Sequence, residues 1–130
     1  MGVRFGSVST IVNVGVLPAT GAETVIMTTP PLTLPLDSAQ IFLFWYFLGN
    51  TGASTTVLTW RLRRGTTTGG TLINSGNGVG VTAAVNATLS GCYNDTPGAV
   101  AGQQYSWTLQ GTSTAGAGTF LEGCMTAMVL

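Results

Sequence analysis

Apolar and polar positions along this chain do not follow a helical period. No window of a dozen residues carries an apolar stripe at i, i+3, i+4 and i+7. Runs of β-branched and aromatic residues recur instead, separated by Gly, Pro, Asn and Ser, and such runs read as strands. They predict strands over 8–17, 23–29, 39–48, 55–64, 71–74, 78–89, 103–110 and 119–129. A short extended piece at 32–36 is broken by Pro35 and reads as an edge. Gly80 marks a bulge, and Tyr93–Pro97 reads as a turn. The expected architecture is all-β: a single antiparallel β-sandwich of eight or nine strands, a jelly roll or related Greek key. It spans residues 1–130, with 1–7 as an extended N-terminal arm.

Two of these segments carry most of the inference. Over 55–64 the alternation is clean. Leu58, Trp60 and Leu62 take one face and Thr59, Arg61 and Arg63 the other, as for a strand with one side on the core. Over 41–48 it fails. Ile41, Leu43, Trp45 and Phe47 line one face, and Phe42, Phe44, Tyr46 and Leu48 line the other. A two-layer domain buries only one face of each strand. Covering each large side chain left outside is worth roughly 1.5–3 kcal/mol, and together they make a patch larger than monomers usually expose. The outer four are therefore expected to form an oligomer interface, with coverage by a loop of the same chain as the alternative. The last strand is apolar to its end (Leu121, Cys124, Met125, Met128, Val129, Leu130), which predicts burial within a sheet or between protomers.

Charge sharpens this picture. Charged residues make up 6% of the chain, against a usual value of about 25%. Arg4, Arg61, Arg63 and Arg64 balance Glu23, Asp37, Asp95 and Glu122, and Lys and His are absent. A net charge of zero gives no electrostatic footprint for nucleic acid. A surface this poor in charge is expected to be neutral hydroxyl and amide or to be covered by partners. The longest apolar run, Ile41–Leu48, is far short of the ~20 residues of a membrane-spanning helix. Met1-Gly2-Val3-Arg4 lacks the apolar run of a signal peptide.

Candidate chemistry is sparse. Without His or Lys, no Ser residue has the usual activating base, and no enzyme activity is expected. Gly65–Thr71 is Gly-rich but lacks the Lys of a phosphate-binding loop and reads as a hairpin. Asp95 has no acidic neighbours to complete a Ca²⁺ site. No metal or cofactor is expected. Cys92 and Cys124 are either two buried free thiols or a disulfide tying the last strand to an earlier one. Arg61, Arg63 and Arg64 form the one charge cluster. They read as a solvated strand face or as a contact to an acidic patch on a partner. Asn86-Ala87-Thr88 matches a glycosylation acceptor.

The segments Leu58-Thr59-Trp60-Arg61-Leu62-Arg63-Arg64-Gly65, Tyr93-Asn94-Asp95-Thr96-Pro97-Gly98 and Tyr105-Ser106-Trp107-Thr108-Leu109-Gln110 resemble small structural proteins of tailed-phage virions. The likeness covers roughly residues 55–112 and is one of composition and strand order. It implies a non-enzymatic capsid decoration or cement protein, a homotrimer on the capsid exterior bound to the major capsid protein. It brings no catalytic residues. Two alternatives stand beside it. One is the glycan-binding head of a fibre or spike, with Gln103, Gln104, Tyr105, Trp107 and Asn94 as candidates, although Tyr105 and Trp107 share one face and read equally as core. The other is a self-assembling extracellular filament subunit that donates strand 8–17 to a neighbour's sheet.

Overall fold

The computed structural model describes residues 7–17, 22–32, 40–50, 56–76, 80–81, 86–98, 102–111 and 118–130. Among these residues nine strands form: β1 (Ser7–Leu17), β2 (Thr24–Thr28), β3 (Ile41–Asn50), β4 (Thr56–Arg64), β5 (Thr71–Gly76), β6 (Gly80–Val81), β7 (Ala87–Asp95), β8 (Tyr105–Gly111) and β9 (Gly118–Val129). The first sheet has the order β1-β9-β3-β7 and the second β2-β8-β4-β5, with β6 continuing the β5 edge alongside β4. Every pairing is antiparallel. Each sheet interleaves early and late strands, and successive strands β1 to β4 alternate between the sheets. This is the jelly-roll arrangement, a β-sandwich as the strand pattern predicts.

The inner faces make the core. Ile41, Leu43, Trp45 and Phe47 of β3 and Met125, Ala127 and Val129 of β9 meet Leu58 and Leu62 of β4 and Tyr105, Trp107 and Leu109 of β8; all are buried. Phe47 stacks on Trp107 between the sheets, with ring centroids 5.2 Å apart. The β4–β5 hairpin turns at Gly65, whose φ of 102° lies where a side chain is strained. Its N–H donates to the Gln104 carbonyl at 2.8 Å.

Several expected elements are redrawn. The predicted strand 78–89 is two pieces. Gly80–Val81 pairs with β4 in the second sheet, whereas Ala87 onward belongs to the first. The chain changes layers in between, and apolar alternation alone carries no signal for that crossing. Tyr93–Asp95, read as a turn, completes β7 opposite Ile41–Leu43. Most of the 32–36 piece lies outside the described residues; Leu32 itself is buried and bridges Gln103. The segment offered for donation to a neighbour is β1, which pairs along β9 of its own chain as one edge of the first sheet. β9 lies between β1 and β3 and buries Met125, Ala127 and Val129 in the core, whereas Cys124 and Met128 are half-buried on the outer face and Leu130 is exposed.

Candidate functional site: the outer face of the first sheet

β3 places its two apolar faces in different surroundings. The inward residues have at most 1% of their surface exposed, whereas Phe44 on the outward face is 47% exposed. Phe42, Tyr46 and Leu48 are half-buried beside it. Register shows what flanks them. Phe42 lies between Met128 and Asn94, Phe44 between Thr126 and Cys92, Tyr46 between Cys124 and Ser90, and Leu48 between Glu122 and Thr88. The result is an apolar stripe along β3, bordered by small neutral side chains, with Glu122 at one end. The Tyr46 phenol is pushed above its ordinary range, first by desolvation and then by donating its hydrogen bond to Glu122. Among the described side chains on this face, Glu122 is the single charge, and it is already engaged.

The two cysteines both belong to this face. β7 and β9 flank β3, and Cys92 lies opposite Phe44 while Cys124 lies opposite Tyr46, so they stand two interstrand spacings apart, at least about 9.5 Å, with a two-residue offset along the strands besides. A disulfide needs Cα atoms within about 7 Å. A bridge within the chain is therefore absent; both residues are thiols, and neither is buried as expected, since their side chains lie on the outer face, Cys92 exposed and Cys124 half-buried.

The arginines are held within the chain. Arg63 grips Glu23 two-pronged, Nε donating to Oε1 at 2.7 Å and Nη2 to Oε2 at 3.0 Å, while Nη1 donates to the Gly70 carbonyl at 2.8 Å. Arg61 donates to Gln110 at 2.8 Å and lies 3.6 Å from Glu23. The Thr108 hydroxyl also donates to Glu23. Hydrogen bonding to Arg63, aided by Thr108 and opposed by burial, leaves the Glu23 carboxyl below its usual range. This network roofs the outer face of the second sheet and explains why Ser106 and Thr108, which point away from the core, are nonetheless buried.

Arg64 leaves its neighbours. It donates from Nε and Nη2 to Asp95 at 2.9 and 2.6 Å, joining β4 of one sheet to β7 of the other. The Tyr105 hydroxyl donates to the same carboxylate at 2.6 Å. Burial pushes the Asp95 carboxyl up, but the hydrogen bonds from Arg64 and Tyr105 outweigh it and hold it below its usual range. Asp95, weighed from sequence as a metal ligand, is instead an inter-sheet clasp. Its long-range partner was not visible in the turn-like run around it. For Tyr105 and Trp107 among the glycan candidates, the core reading weighed beside the glycan one holds. Tyr105 and Trp107 are wholly buried and Gln103 nearly so, because the core claims that strand; Asn94 is exposed on β7.

No family model matches this chain, and no curated protein matches it. Among solved structures, the chain is similar to one of the T13 particle of infectious bursal disease virus, with a TM-score of 0.60 and 8% identity over 96% of this chain and 31% of that one. It is similar also to the VP2 subviral particle of the same virus, with a TM-score of 0.59 and 8% identity over 96% of this chain and 32% of that one. A subunit of the disulfide-linked endospore appendages of Bacillus aligns with a TM-score of 0.48 and 20% identity over 95% of this chain and 88% of that one. This chain thus spans about a third of the viral chains it matches. At such identity the likeness is one of fold: a jelly roll also used by a viral coat. The viral chains come from infectious bursal disease virus, not from a tailed phage.

Proposed function

We propose that this chain is a non-enzymatic structural subunit of a virion, of the capsid decoration or cement kind, whose copies join through the outer face of the first sheet. The observation that carries the reading is β3. One strand in a two-layer fold presents large apolar side chains on both faces, and Phe44 at the middle of the outer stripe is 47% exposed. A second copy packed on Phe42, Phe44, Tyr46 and Leu48 removes that surface from water. The near absence of charge suits such contacts, because each charge buried at an interface would carry a desolvation cost. The jelly roll shared with a viral coat supports the same reading at the level of fold.

In this reading the subunit is a trimer on the capsid exterior, as the resemblance to tailed-phage virion proteins implies, and the major capsid protein is its partner. Its work is mechanical. Many weak attachments around a shell raise the overall avidity without any single tight site.

Sedimentation equilibrium tests the interface. The wild type associates, and Phe44→Asp sediments as a folded monomer with unchanged near-ultraviolet dichroism. Equal sedimentation of the two proteins would show that the face is not an interface. Co-sedimentation with assembled shells tests the decoration role.

A further inference from the structure

We propose that the edge of β7 pairs with β7 of a second copy of this chain, antiparallel and about a two-fold axis. Among the described residues β7 pairs with β3 alone, so its other side presents a row of backbone N–H and C=O groups. Such a row is a template for another strand, and monomers blunt it with Lys, Pro, outward charge or a bulge. β7 has none of these. Its sequence, ATLSGCYND, lacks Lys and Pro. Its nine pairs with β3 run from Ile41↔Asp95 to Gly49↔Ala87 without a register shift. Its one charge, Asp95, is buried and held by Arg64.

β1, the opposite edge of this sheet, is as even in register but lies against β2 of the second sheet, and the edges of the second sheet are irregular. β2 shifts register at Val25/Met27, and the β4–β5 pairing shifts at Leu62/Arg63, so their edge groups are not evenly spaced. β7 is long and regular, and its outward residues Thr88, Ser90, Cys92 and Asn94 are all exposed.

A second copy is the occupant because antiparallel pairing about a two-fold is self-complementary for any strand. Neutral hydroxyl side chains meeting across such a pair favour it, and no like charges are opposed. Pairing merges two copies of the first sheet into one continuous sheet. It also places the Phe44 stripes of both on a single surface. In the proposed coat this contact links one trimer to the next. It stands independently of the outer-face interface.

Hydrogen exchange of the full chain, read by mass spectrometry at rising protein concentration, tests the pairing. The expected result is that alternate amides of residues 87–95 slow by about tenfold or more in the associated protein. Ser90→Lys, which with the two-fold at Gly91 brings like charges close together across the axis, abolishes that slowing while leaving near-ultraviolet dichroism unchanged. Phe44→Asp leaves the slowing in place, since it acts on the other contact. The inference is overturned if residues 87–95 exchange alike in dilute and associated protein. It is also overturned if the slowing falls on β1 or β5 instead, survives Ser90→Lys, or disappears in Phe44→Asp.

Discussion

Trp45 of β3 lies against Gly91 of β7: a Cβ at Gly91 would sit 2.5 Å from the Trp45 ring. The same relation holds on the other sheet, where a Cβ at Gly76 would sit 2.5 Å from Trp60. The two indoles meet between the sheets at 4.9 Å, inclined by 50°. An edge-strand glycine on each side therefore makes room for an aromatic pair that closes one flank of the core. Trp45 cannot swing aside, because Trp60 and the core hold it. Gly91→Ala is expected to destabilise the fold by about 1–3 kcal/mol, the usual cost of overpacking. Urea denaturation measures it, and an unchanged midpoint would mean that the flank is loosely packed.

Neighbouring residues of β3 should respond in opposite ways. Trp45→Ala or Phe47→Ala removes a buried ring and is expected to cost about 3–5 kcal/mol of stability. Tyr46→Asp changes the outward face, so it should leave monomer stability within about 1 kcal/mol and weaken association instead. Thermal melts alongside sedimentation separate the two effects. A large loss of stability in Tyr46→Asp would place that side chain in the core.

The clasp between the sheets predicts a pH dependence. Asp95 and Glu23 titrate below their ordinary values in the folded chain. Their contribution to stability is therefore complete above about pH 5 and is lost as the pH falls through the carboxylate range toward the depressed values. Melting temperature should be level from neutral pH down to that range and drop below it. Asp95→Asn should flatten part of the drop, and an identical acid limb in that variant would contradict the assignment.

Asp95→Ala strands both Arg64 and the Tyr105 hydroxyl. Breaking a buried pair costs about 3–5 kcal/mol. The Arg64 side chain is 33% exposed and can recover some water, so about 2 kcal/mol is expected. Leu89→Val, a modest trim of the same strand, should cost less; the reverse order would remove the clasp from its stabilising role.

The thiols give a direct check on register. With β3 between them, Cys92 and Cys124 should both react with a thiol reagent in the native protein, the exposed Cys92 faster. Adding reductant should leave the melting temperature unchanged. A reductant-dependent melt at high dilution would mean that the two strands are closer than the pairing allows.

Much of this architecture was legible in the chain because it is written in alternation. The two-faced apolar run of β3 and the clean alternation of β4 locate the strands and the inner core within a residue or two. What alternation lacks is pairing over distance. Glu23 meets Arg63 across 40 positions and Arg64 meets Asp95 across 31, so an apparent basic cluster divides into a roof on one sheet and a clasp between two. Alternation itself divides it: β4 runs without a shift against β8, so Arg64 falls on the side of Leu58, Trp60 and Leu62 and away from Arg61 and Arg63. The crossing between β6 and β7 was hidden for a related reason. Small residues such as Gly and Ala suit either sheet and mark no change of layer.

All six charged side chains described here have partners within the chain: Glu23 with Arg61 and Arg63, Arg64 with Asp95, and Glu122 with Tyr46. Little field escapes to guide an approaching molecule. Encounters should then proceed unsteered, at rates on the order of 10⁵–10⁶ M⁻¹s⁻¹, and ionic strength should hardly alter them. Such a molecule would join its neighbours as readily in brackish water as in fresh.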